Sequence, residues 1–391
     1  MASLAIRCDC ALTPLEEISD AVVVLAGEKI VRVGRRGEVS LPPGTQEHRA
    51  RGMTLVPGFL DVHIHGAGGH DVMEATEEAL RAVTETAAAH GTTALLATTV
   101  TASEQRIRES AQGIARVISS QQAAVPQTRP RAEIVGIHFE GPFISATRRG
   151  VHLAEWIAPP SVAALKGYLQ AAEGTGRLLT LAPELPGALE LITFASGAGL
   201  VVAMGHTDAT YAEACAAIHR GVRHAAHVFN AMRPFSHRET GVLGAILTSP
   251  EVSAELIADG VHVDPPAMRL LLASKGAERV VLVSDSTAAT GMPDGKYQLG
   301  TFEVVVTRGV CRNAEGKLAG STLTLDRAVR NMVTLGVPLA AAVRMATLNP
   351  ARLLGLEQRK GVLRPGADAD LVLLDSNLHV AGVVTRGVGL G

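Results

Sequence analysis

From residue 53 onward, short apolar runs alternate with Ala- and Leu-rich stretches, and this alternation restricts the possible folds more than any other feature. The runs are TALLATTV, AEIVGIHFEG, RLLTLAPE, GLVVAMGHTD, RHAAHVFN and RVVLVSDS, and EEALRAVTETAAAH and YAEACAAIHR are typical of what lies between them. A strand-length apolar run followed by a helix-length segment marks a parallel βα unit, because parallel strands need a long crossover. The number of units and the extent of the segment, residues 53–355, favour a closed (β/α)8 barrel over an open sheet. Residues 1–52 differ: LAIRCDC, DAVVVLAG and KIVRVG are β-rich and separated by turn residues. Residues 356–391 return to strand character in GVLRPGADADLVLLD. The two ends are expected to meet in one small β-sandwich beside the barrel.

Composition narrows the partners. With 47% hydrophobic and 19% charged residues, the chain suits a folded, soluble protein with a sizeable core. A net charge of -2 and a pI near 6.7 give no general field for nucleic acid or an anionic membrane surface. No stretch reaches the roughly 18 uncharged apolar residues of a membrane span, and MASLAIRCDCALTPLEEISD lacks a signal-peptide core. Cys8, Cys10, Cys215 and Cys311 form no CxxC pair and no disulfide framework, which points to reduced thiols in a cytoplasmic protein.

Chemistry gathers at the predicted strand ends. In LVPGFLDVHIHG, His63 and His65 point to the same side of a strand, where two imidazoles can share a metal ion. Glu140 ends IVGIHFEG, His206 ends VVAMGHTD, His227 lies in HAAHVFNAM and Asp285 ends VVLVSDS. In a barrel those C-terminal ends form the rim on which active sites are built. Imidazoles and carboxylates together suit zinc or another first-row divalent ion.

The motifs DVHIHG, HFEGPF, MGHTDAT, HVFNAM, HRETG, IADGVHVD, VSDS and LAGSTLTLDRAVRN, in that order, resemble those of the N-acetylglucosamine-6-phosphate deacetylases of the amidohydrolase superfamily. The resemblance runs from about residue 20 to 375. It implies a TIM-like metal-dependent hydrolase barrel that removes the acetyl group of a phosphosugar, in amino-sugar catabolism and cell-wall sugar recycling. It implies Glu140, His206 and His227 as ligands of the main metal, Asp285 as proton shuttle, and His152 at the amide carbonyl of the substrate. Val151, Asn230, Ala231, Arg238, Asp259 and His262 match sugar- and phosphate-contacting positions, and Leu318-Ala319-Gly320 a loop that closes over the sugar. The family pattern has Arg238 and His262 reach a substrate held by the neighbouring subunit, hence a homodimer. Because both His63 and His65 are present, there is room for a second ion bridged by Glu140. One or two divalent ions per chain are therefore expected, Zn2+ first, with Fe2+, Mn2+ or Co2+ as alternatives.

Three rivals are weighed by the same residues. Dihydroorotase- or hydantoinase-like enzymes use a carboxylated lysine at a strand end. None of Lys29, Lys166, Lys275, Lys296, Lys317 and Lys360 occupies such a place. An N-acetylgalactosamine-6-phosphate deacetylase differs in substrate at one ring hydroxyl and stays open. A non-catalytic barrel predicts loss of Asp285 or the ligands, and all are present.

Overall fold

Eight short strands occupy the centre of the molecule in a computed structural model that describes residues 3–123 and 128–390. They are β1 (Phe59–Ile64), β2 (Thr92–Thr99), β3 (Glu133–Glu140), β4 (Gly176–Leu181), β5 (Val201–Met204), β6 (Val222–Ala225), β7 (Ser253–Leu256) and β8 (Val280–Leu282). Each pairs in parallel with the next in chain order. The sheet then returns on itself: Ile64 bridges Ser286 in parallel, the Asp285 amide donates to the His63 carbonyl at 2.9 Å, and the His65 amide donates to Ser286 at 2.9 Å. The (β/α)8 architecture follows.

Local sequence explains the alternation. Every residue of β2 is buried, as a strand covered on both faces requires, so it reads as a continuous apolar and Thr run. The helix Glu77–Ala89 starts at Thr76, whose side chain accepts from the Ala79 amide, and buries Leu80, Val83, Thr84 and Ala87 on one face. Thr210 and Glu213 make a reciprocal cap that starts the helix Tyr211–Arg220.

The chain ends share one six-stranded sheet, in the order Val380–Val384, Leu371–Leu374, Gln46–Pro57, Ser3–Leu12, Glu17–Ala26, Lys29–Arg35. Ile6, Val23, Leu25, Leu55, Leu371 and Leu373 form its own buried cluster. Gln46–Pro57 leads out of this sheet and, past Gly58, directly into β1. A third sheet follows β8: Gly295–Leu299, Phe302–Thr307 and Val310–Arg312, an antiparallel meander whose tip carries Leu299 and Phe302. Nothing in the strand–helix spacing announces it.

A buried ion cluster joins the six-stranded sheet to the barrel. Lys360, almost fully buried, places Nζ 2.6 Å from Glu133 at the start of β3, 3.0 Å from Asp368 and 2.5 Å from Asp370. Arg359 spans Glu133 and Asp368 at 2.6 and 2.7 Å, and Lys29 reaches Asp368 at 2.7 Å. The acids of PGADADLVLLD are thus the tail's attachment to the barrel. Burial opposes the charge on Lys360, but Asp370, Glu133 and Asp368 more than offset it and hold its pKa above the ordinary value. Removing one partner strands the others in a medium that solvates them poorly. Lys360→Met is expected to lower the unfolding free energy by about 3–5 kcal/mol, read from urea denaturation; a loss under about 1 kcal/mol would show that water relieves the three carboxylates.

Candidate metal centre

The strand ends deliver their side chains through unusual backbone. His206, His227 and Asp285, just beyond β5, β6 and β8, have φ of +47°, +25° and +48°, and Phe229 and Ala231 are at +78° and +50°. Left-handed non-glycine residues cost about 1–3 kcal/mol each and persist where surrounding structure over-determines them. Here the turn breaks strand alternation and carries each side chain over the barrel mouth. Gly320 follows the same rim at φ +57°; a Cβ there would lie 2.6 Å from Thr287 Cγ2 and 2.9 Å from the Asp285 carbonyl, so only glycine lets this loop press against Asp285.

Five imidazoles surround one carboxylate. Glu140 Oε1 is 3.2 Å from His63 Nε2, 3.2 Å from His206 Nε2 and 3.0 Å from His227 Nε2, while Oε2 is 3.4 Å from both His65 Nε2 and His152 Nε2. Asp285 Oδ1 lies 3.2 Å from His65 Nε2 and 3.7 Å from His63 Nε2. Potential ligand atoms group as His63–Glu140–His227, His63–His65–Asp285 and Glu140–His152–His206, all buried.

The outer nitrogens fix the tautomers. His65 Nδ1 is 3.1 Å from the Thr98 carbonyl, His206 Nδ1 is 3.0 Å from the Arg148 carbonyl, and His63 Nδ1 is 2.9 Å from Glu255 Oε2. Each of these acceptors requires a proton on Nδ1, which turns Nε2 inward to the cluster. His63 Nε2 is buried without a hydrogen-bond partner, and His206 and His227 bring their Nε2 atoms within 3.1 Å, a distance at which the two cannot both carry protons. Nitrogen lone pairs facing one another and a carboxylate repel unless a cation lies between them. The donor set therefore fits a divalent metal ion.

The charge balance agrees. Burial opposes ionisation of Glu140, but the imidazoles around it, His63 first and then His152, His206 and His227, hold its pKa well below the usual range. Burial likewise opposes Glu255, and His63 and His224 hold it well below. At His63 burial opposes charge, yet Glu255 and Glu140 raise its pKa well above the ordinary value. Burial, reinforced by His152, takes His206 down to about 4, which leaves a neutral ring suited to ligation. Three buried carboxylates demand positive charge at this point.

Glu255 is the residue that the sequence patterns did not disclose. It sits fully buried within β7, accepts from the His227 amide at 2.9 Å and lies 3.0 Å from His224 Nε2 as well as holding His63. One carboxylate thus fixes a ring on β1 and the backbone that carries another candidate ligand. A charged residue inside the apolar run SAELIA was the only available signal.

A cavity of about 190 Å³ opens onto the cluster. Its walls include His65, Glu140, His206, His227 and Asp285 together with Val151, His152, Asn230, Ala231, His262, Leu318 and Gly320. Val100, Leu299 and Phe302, unforeseen from sequence, also line it. Ala319 is buried behind this wall, and Asp259 acts one step back, its Oδ2 2.7 Å from His262 Nδ1. That bond holds His262 at the cavity of its own chain. Arg238 is exposed and lines no part of the cavity.

Residues 54–388 match the profile of the Amidohydrolase family. An N-acetylglucosamine-6-phosphate deacetylase from Vibrio furnissii is 38% identical over 85% of this chain and 82% of its own length. An N-acetylgalactosamine-6-phosphate deacetylase from Escherichia coli O157:H7 is 40% identical over 85% and 86%, respectively. Among solved structures, a mutant N-acetyl-D-glucosamine-6-phosphate deacetylase from Mycobacterium smegmatis, in complex with N-acetyl-D-glucosamine-6-phosphate, superposes with a TM-score of 0.92 at 38% identity, covering 100% of this chain and 99% of that one. No helix among the described residues is long and apolar enough to cross a membrane.

Metal stoichiometry tests the arrangement. Protein saturated with divalent ion is expected to hold close to two ions per chain by elemental analysis, and His63→Ala/His65→Ala close to one. Glu140→Ala, which removes the carboxylate at the centre of the cluster, is expected to retain little of either; full metal content in that variant would place the ion elsewhere.

Proposed function

Because the chain belongs to the amidohydrolase family, among its N-acetylglucosamine-6-phosphate deacetylases, we propose that it hydrolyses the acetamide of N-acetyl-D-glucosamine 6-phosphate to acetate and glucosamine 6-phosphate. The observation that carries this reading is a single cavity in which Asp285 and the candidate ligands share walls with Asn230, Ala231, His262 and Leu318. The relative that acts on the galacto epimer is of similar identity, so the epimer preference is decided by assay of both sugars.

Glu140, His206 and His227 would hold the main ion, and His63 and His65 would serve a second beside it. Zn2+ suits these donors first, and Fe2+, Mn2+ or Co2+ suit the same set. Such an ion would supply a nucleophile by lowering the pKa of water toward about 7, and would polarise the acyl oxygen. Burial opposes ionisation of Asp285, but the neighbouring His65 and His63 keep its pKa below the usual carboxylate range. The ionised carboxylate accepts the proton of the attacking water. It then delivers that proton to the departing nitrogen, since an amide anion is too poor a leaving group to depart unprotonated. His152 presents Nε2 to the same space and donates to the acyl oxygen as negative charge develops there. Asn230, Ala231, His262 and the Leu318–Gly320 loop hold the sugar.

In this reading the protein is a homodimer and Arg238 reaches the phosphate of the partner subunit's substrate, a role supported by its exposure. Its planar fork matches a phosphate in a way a lysine does not. The four free thiols suit a reducing cytoplasm.

Acetate release from N-acetyl sugars with and without 6-phosphate, by metal-quantified protein, tests the whole reading. Asp285→Asn is expected to lower kcat by about 10²–10⁴-fold; turnover within about tenfold of wild type would remove it from proton transfer. Arg238→Ala is expected to lower kcat/KM at least tenfold on the phosphorylated sugar alone, the equivalent of about 1.4 kcal/mol. Equal losses on both sugars would make the residue structural.

A further inference from the structure

The acyl carbon under attack must lie where Glu140, His65 and Asp285 converge, because there the proton shuttle meets the candidate ligands. The sugar-side residues come from one side of the barrel: Asn230 and Ala231 follow β6 and His262 follows β7. In a ring of eight strands β2 stands opposite β6. An amide carries its nitrogen and its alkyl group on opposite sides of the carbonyl carbon. With the nitrogen and sugar toward β6 and β7, the alkyl group points toward β2.

What stands there is apolar. Val100 directly follows β2, and Leu299 and Phe302, from the tip of the meander after β8, line the cavity beside it. Gly300 between them sits directly on Val100: a Cβ at that position would be 2.2 Å from Val100 Cγ2. The Gly300 amide donates to Asp71 Oδ2 at 2.8 Å, and Asp71 also accepts from the Met73 amide at 2.7 Å, so the tip is fastened to the loop after β1. Val100 and Leu299 are each 2% exposed. A wall fixed by a backbone hydrogen bond and a direct packing contact yields little to a longer chain.

We propose that Val100, Leu299 and Phe302 form the pocket for the acyl group and set how long an N-acyl chain the enzyme hydrolyses. The inference rests on the deacetylase reading above. One methylene too many in a closed apolar pocket discriminates by about 10–200-fold. Wild type is expected to prefer N-acetyl over N-propionyl glucosamine 6-phosphate at least tenfold in kcat/KM, and N-butyryl substrate is expected to be poorer still.

The test is the ratio of kcat/KM for two acyl substrates measured on one preparation, which is independent of the fraction that is folded or metal-loaded. Leu299→Ala and Phe302→Ala are expected to shift the propionyl-to-acetyl ratio upward at least tenfold. Val100→Leu, which fills the same space, is expected to shift the acetyl-to-formyl ratio downward by a similar factor. Ratios unchanged in all three variants would overturn the acyl pocket while leaving the deacetylase standing. Failure of wild type to release acetate from the N-acetyl substrate would overturn the deacetylase reading itself, and this pocket with it.

Discussion

Buried negative charge is the constraint around which the catalytic face is organised. Glu140, Glu255 and Asp285 lie in one water-poor space at the mouth of the barrel, and no fold keeps three carboxylates there without compensation. The imidazoles of His63, His65, His206 and His227 converge on that charge, and the outer nitrogens of His63, His65 and His206 are held by Glu255, Thr98 and Arg148 so that their inner ones face the centre. The strand ends supply these groups at a cost in backbone strain. Three of them stand in left-handed conformations, which the closed barrel and its loops enforce.

Much of this was legible in the sequence because it was written in periodicities. The βα rhythm sets the barrel, and a barrel places strand ends on one rim, so His63, His65, Glu140, His206, His227 and Asp285 could be grouped without coordinates. Glu255 was not legible, because a lone acid in SAELIA has no period and its partners come from β1, β6 and the turn beyond β6. The meander over residues 295–312 escaped for a related reason: it is an insertion after β8 that breaks the strand–helix rhythm rather than continuing it. The Asp259 bond that holds His262 toward the cavity of its own chain is a matter of side-chain geometry, which no sequence period announces.

The two sides of the cavity differ in how they are made. Asn230, Ala231 and His262 come from loops directly after β6 and β7. The opposite side is apolar and depends on the meander tip being fastened to Asp71. The barrel therefore supplies the reaction chemistry, and an element outside the repeating pattern completes the wall.

The shared sheet also governs the order in which the molecule can be completed. Leu55 pairs with Leu373, and Lys29 with Asp368, so strands made first wait for partners made almost last. Throughout synthesis of the barrel, the edge of Gln46–Pro57 that will receive Leu371–Leu374 has no strand beside it. Such an edge is a template for pairing with another chain. Non-local pairings of this kind also slow folding, because loop closure must precede any gain from contact. The C-terminal strands thus act as a seal on a nascent edge, and the folding chain is most open to aggregation in the interval before they emerge.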